Sequence, residues 1–116
     1  GEDLRVISDM YMSPTYTLDV SQKIHDLVNI GSPSGIYHLS NAGSCSWFEL
    51  AKEVLNKVNP NASLVPISAS EYSAKATRPQ ISSLTSVNLS PHGIQPMRNW
   101  EMAVTDYLVA RSHIQA

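Results

Sequence analysis

The sequence predicts an α/β fold, a small, mostly parallel sheet with about three helices. Three observations predict it. Short branched or apolar runs alternate with stretches of helical spacing, and Gly/Pro clusters punctuate them. The composition, 42% apolar and 16% charged over 116 residues, is that of one globular domain spanning residues 1–116. A chain of this size removes roughly 65% of its unfolded surface from water, so any large apolar face left over is expected to meet a partner or a further domain.

Leu4 to Ser8 alternates and is rich in branched residues, which predicts a strand ending at Asp9. Pro14 disfavours the helical region for Ser13 and marks an extended loop. From Asp19, the residues Val20, Ile24, Leu27 and Val28 form an amphipathic stripe that stops at the Gly31-Ser32-Pro33-Ser34-Gly35 turn. Ile36 to Leu39 reads as a second strand, and Asn41 to Ser44 as a loop.

Ser46 and Glu49 have the spacing of a capping box, in which the serine oxygen and the glutamate carboxylate satisfy free amides of a helix's first turn. Trp47, Ala51, Val54, Leu55 and Val58 share a face of that helix, and Asn59-Pro60 ends it because proline cannot continue the hydrogen-bond ladder. Leu64 to Ile67 is a third strand, confined to a sheet edge by Pro66. Ser68 to Gln80 is polar and irregular, with one helical turn expected near Glu71. Trp100, Ala103, Val104, Tyr107 and Leu108 define a last helix capped by Asn99. Three short strands are few for a free-standing sheet, which again points to a neighbouring part.

The charge is −2 and the eight basic residues are scattered, which argues against nucleic acid. No apolar stretch reaches the ~20 residues of a membrane span. A single cysteine, Cys45, excludes an internal disulfide and a cysteine-only metal site, and a reducing cytoplasmic compartment is expected. The abrupt start at Gly1-Glu2-Asp3, without an initiator methionine, points to a cut inside a longer reading frame.

Little in the chain is arranged for catalysis. His25, His38, His92 and His113 show no ligand-like spacing, so no metal is expected, and His25 and His38 read as structural. Cys45 stands at a helix start, where the helix dipole would lower a thiol pKa, but no histidine base is near in sequence. Gly31 to Gly35 resembles a nucleophile elbow only superficially, since its centre is Pro33. There is no glycine-rich dinucleotide fingerprint and no Tyr-x-x-x-Lys, so neither catalytic nor cofactor-binding residues are assigned. Arg78 is the only charged residue between Lys75 and Arg98; its guanidinium fork suits a phosphate or pyrophosphate, and pairing with Glu71 is the alternative.

Taken together, Ser13-Pro14-Thr15-Tyr16-Thr17-x-Asp19-Val20 and Gly35-Ile36-Tyr37-His38-Leu39-Ser40-Asn41-x-Gly43-x-Cys45-Ser46-Trp47-Phe48-Glu49-Leu50-Ala51 resemble the C-terminal region of the dTDP-4-dehydrorhamnose reductase family. The likeness continues through Arg78-Pro79 and Ser83-Leu84 to the Trp100 helix. After Asp9, where many members carry Gln and then Gly, this chain has Met10 and Met12.

The resemblance implies the C-terminal portion of an extended Rossmann-type, short-chain reductase. In such a protein an absent N-terminal Rossmann domain would hold NADPH (or NADH) and the catalytic pair, while this part would bind a dTDP-linked nucleotide-sugar whose 4-keto group is reduced in dTDP-L-rhamnose biosynthesis. Carried over by position, Arg78 matches an arginine that contacts the diphosphate. Pro79 and Gln80 would shape its loop, Pro14 and Thr15 match the loop after the first strand and read mainly as structural, with lining of the sugar pocket as the alternative, and Trp47 would belong to the core. A homodimer is compatible with the resemblance. The alternative within the same fold is a non-catalytic, protein-binding module like the regulatory subunit of methionine adenosyltransferase.

Overall fold

The computed structural model describes residues 2–115. Its elements run β1 (Leu4–Ile7), β2 (Tyr11–Met12), α1 (Thr17–Asn29), β3 (Cys45–Ser46), α2 (Trp47–Val58), β4 (Leu64–Ile67), α3 (Ala69–Tyr72), a 3-10 turn (Ser90–His92) and α4 (Trp100–Ala110). The α/β class holds, but the strands form two two-stranded pieces rather than one sheet of three.

β1 pairs in parallel with β4, from Leu4 opposite Leu64 to Ile7 opposite Ile67. The Leu4 amide donates to the Ser63 carbonyl at 2.8 Å and the Ser8 amide to the Ile67 carbonyl at 2.8 Å, closing the ladder at both ends. Pro66 stands opposite Val6 and has no N–H to give, which is tolerated because β4 pairs on one side only. α2 packs across both strands. The second pair, β2 with β3, is antiparallel and joins Tyr11 to Ser46 and Met12 to Cys45.

Ile36 to Leu39, read above as a strand, joins neither ladder. The branched residues favour extended backbone, but no strand lies beside them to complete the hydrogen bonds. The segment is held by packing instead. Tyr37 and Leu39 lean on the buried cluster of Leu27, Leu89 and Ile94, while Ile36 is left 74% exposed. Asn88 donates its side-chain amide to the Ile36 carbonyl at 2.8 Å, supplying one bond that a ladder would have made.

The helix starts follow their caps. Ser46 accepts from the Glu49 amide at 3.1 Å and Asn99 accepts from the Met102 amide at 3.0 Å, each filling a donor of a first turn. At Ser46 only this arm of the expected capping box forms among the described residues. The complete box is at α3, where Ser68 and Glu71 satisfy each other's amides. Of the α1 stripe only Leu27 is buried; Ile24 and Val28 face outward. The described residues extend over 51 × 37 × 19 Å with a radius of gyration of 16.6 Å, against about 13 Å for a compact chain of this length. The fold is a slab, and apolar side chains such as Leu4, Tyr11, Tyr72 and Ile81 stand exposed on it.

Candidate functional site

Two separate hollows contain three of the residues that sequence pointed to, Arg78 in one and Pro14 and Thr15 in the other, while Gln80 lines neither. The first, of about 990 Å³, lies over β1 and is walled by α3 and the segment that follows it. Arg5, Lys75 and Arg78 bring three cationic side chains to its lining, and Met10 and Trp47 bring a thioether and an aromatic ring. The second, of about 350 Å³, is apolar and lies between α2 and α4; Pro14 and Thr15 are at its edge beside Tyr16, and Trp100 and Tyr107 line it. The structure thus places Arg78 in one hollow and Pro14 and Thr15 in the other.

The loop that carries Arg78 is shaped by backbone. Ser73, at the C-terminal end of α3, adopts left-handed φ 55° and ψ 47°, which turns the chain back along the hollow's rim. Beyond Arg78 the Gln80 carbonyl accepts from the Tyr11 amide at 2.8 Å, and the Ser82 amide donates to the Tyr11 carbonyl at 2.9 Å. Gln80 therefore fixes the loop against β2 through its main chain, while its side chain is exposed. Glu71, named above as an alternative partner for Arg78, pairs with Arg5 at 3.3 Å instead. Among the described residues no ion pair engages Arg78, which is exposed in the lining of the first hollow.

Trp47 is not core. It is the first residue of α2 and is 50% exposed, forming a ridge between the cationic hollow and a smaller one beside Leu50 and Leu64. The stripe that it seemed to begin is carried inward by Ala51, Val54 and Leu55, while position 47 lies at the edge of α2, over β1.

Cys45 is fully buried, and burial, with Glu49 and Glu101 nearby, pushes its thiol up to about 11. Desolvation outweighs any gain from the helix start, so the thiol stays protonated near neutral pH and is no nucleophile. Among the described residues no group of three or more His, Cys, Asp or Glu side chains is placed to hold a metal ion, and no helix is long and apolar enough to cross a membrane.

The arrangement that sequence reading missed is a polar knot beneath the second hollow. Asn41 is 0% exposed; its carbonyl oxygen accepts from the Tyr16 amide at 2.7 Å, and its amide nitrogen donates to Asp19 at 2.8 Å and to the Arg98 carbonyl at 3.2 Å. Arg98 grips both carboxylate oxygens of Asp19, at 2.9 and 3.1 Å, and also pairs with Asp106 on α4. The knot ties the start of α1 to the segment entering α4. Because the three side chains are far apart in sequence, no local spacing revealed them.

Burial of Asp19 works to raise its pKa, but hydrogen bonds from Arg98 and Asn41, together with the Arg98 and Lys23 charges, more than reverse this and hold the carboxyl below its usual value. A lowered carboxyl pKa gives stability that is present above the unfolded value of about 3.9 and lost as pH falls through the folded one. Urea unfolding at pH 7, 4 and 3 should therefore show a loss on the acid side, and Asp19→Asn should flatten that loss while lowering stability at pH 7.

Residues 1–112 match the family described as RmlD substrate binding domain. A spore coat polysaccharide biosynthesis protein, SpsK, of Bacillus subtilis is 38% identical over 111 residues, covering 96% of this chain and 38% of that protein. A dTDP-4-dehydrorhamnose reductase of Mycolicibacterium smegmatis is 32% identical over 106 residues, covering 90% of this chain and 32% of its own length.

Among solved structures, the dTDP-4-dehydrorhamnose reductase of Bacillus anthracis, in complex with NADP, superposes with a TM-score of 0.88 at 35% identity; the match covers 95% of this chain and 39% of that one. The chain therefore spans under two fifths of the length of these relatives. On the match across residues 1–112, the chain belongs to the RmlD substrate binding domain family.

Proposed function

We propose that this chain is the nucleotide-sugar-binding part of a reductase that acts on the 4-keto group of dTDP-4-dehydrorhamnose, in the pathway to dTDP-L-rhamnose. The supporting observation is the hollow over β1, whose lining includes Arg78, Lys75 and Arg5, within a chain of this family. A diphosphate carries its charge on several oxygens, and a guanidinium free of ion pairs meets two of them at once. Pro14 and Thr15 line the separate apolar hollow, and only the family resemblance assigns them to the sugar.

The cofactor is assigned to an N-terminal Rossmann domain outside this chain. The left-handed glycines here, Gly31, Gly43 and Gly93, stand after α1, against Trp100 and after the 3-10 turn, and β1 runs on through Asp9 to β2. None makes the tight turn from a strand's end to a helix that a pyrophosphate cradle needs, so no redox step is placed on these residues. NADPH, when bound in that domain, supplies the hydride. This chain's residues bind the diphosphate and orient the sugar.

NADPH oxidation by the full natural protein, with dTDP-4-dehydrorhamnose as substrate, tests the reading. Turnover is expected, and Arg78→Ala should raise KM by about tenfold or more with a smaller change in kcat, because a charge-assisted contact to a non-reacting group is lost. Absence of both turnover and nucleotide-sugar binding would refute it and favour the protein-binding module.

A further inference from the structure

Within the nucleotide-sugar reading, and resting on it, we propose that Trp47 is the platform on which the base of the nucleotide stacks, making it a specificity-determining residue of the site. Charge alone does not account for the hollow over β1. Its cations, Arg5, Lys75 and Arg78, suit phosphates, but a nucleoside diphosphate also carries a flat, weakly polar ring that gains most by leaving water against an aromatic face.

Trp47 offers such a face. It is half exposed at the start of α2, whereas the other tryptophan, Trp100, is 6% exposed and committed to packing. Ser46, the N-cap, is buried and fixed to the Glu49 amide, so the backbone that carries the indole is anchored. Met10 lines the same hollow and supplies a polarizable thioether. Arg5 lines it too, so the ring and a cation share one hollow, as a base and its attached phosphates require. Glu71, between the lining residues Ser70 and Tyr72, is engaged by Arg5 at 3.3 Å.

Stacking uses the π-face of the base, which every pyrimidine has. Trp47 therefore sets the preference for a nucleotide over a simple sugar phosphate and does not distinguish thymine from uracil. Selection among pyrimidines falls to other groups.

The test is calorimetric titration of the full natural protein with dTDP, UDP and inorganic pyrophosphate, in wild type, Trp47→Ala and Trp47→Phe. Trp47→Ala should weaken dTDP and UDP by the same factor, about tenfold or more, while Trp47→Phe keeps most of the affinity. Pyrophosphate binding should stay unchanged in both variants, which also reports that the cationic wall is intact.

Unchanged dTDP affinity in Trp47→Ala would overturn the assignment. So would an equal loss of pyrophosphate and dTDP, which would make Trp47 a support of the fold and not a contact. Wild-type protein that binds none of the three probes would sink the nucleotide-sugar reading itself.

Discussion

Asn41→Ala is expected to cost about 3 kcal/mol, because it removes three hydrogen bonds at a site with no access to water. The loss is larger than the bonds alone suggest. The Tyr16 amide would be left without its partner at the first turn of α1, and Asp19 would lose one of its two hydrogen-bonding partners, keeping Arg98. The urea midpoint should fall by about 1–2 M with the slope unchanged. Asn41→Asp is the sharper comparison: it retains the acceptor for Tyr16 but places a carboxylate against Asp19, so it should be at least as damaging as alanine.

Trp100→Ala is the second large effect, about 3–5 kcal/mol. Trp100 is 6% exposed and joins three parts of the fold. Its amide donates to the Ala42 carbonyl at 3.0 Å, its ring lines the apolar hollow with Val54 and Tyr107, and its edge touches the bare face of Gly43. A Cβ at Gly43 would lie 3.0 Å from the Trp100 Cδ1, and the glycine φ of 96° is unfavourable for any side chain. Removing the indole opens the hollow instead of letting it collapse, since the knot at Asn41 and Arg98 holds the surrounding backbone apart. Thermal unfolding checks this directly, and Trp100→Phe should recover part of the loss.

How much could be read from sequence follows from the range of each interaction. Caps and helix stripes are local, so Asn99, Ser46 and the helical turn at Glu71 were legible in the spacing. Pro66 announced an edge strand for the same reason. Strand pairing is not local. Ile36 to Leu39 has the composition of a strand, but whether it pairs depends on a neighbour that this fold does not provide. Trp47 was misread because periodicity says which residues share a helix face and not where that face ends at the helix terminus.

The site divides in the same way. Arg78 was legible as a lone cation in a polar loop before proline, and the structure gives it a hollow and no ion-pair partner among the described residues. Its co-lining residues Arg5 and Met10 are far away in the chain and could not be found by spacing. Pro14 and Thr15, grouped with Arg78 by resemblance, lie in a different hollow. Cys45 shows the cost of arguing from a helix start alone: desolvation pushes its thiol to about 11, opposite to the direction that the dipole would give.

The measurement that tests the central claim most directly is a crystal structure of the full natural protein with dTDP bound. The account predicts the diphosphate in the hollow over β1, with Arg78 donating to phosphate oxygens at about 2.7–2.9 Å. A diphosphate held elsewhere, with Arg78 turned to solvent, would contradict it.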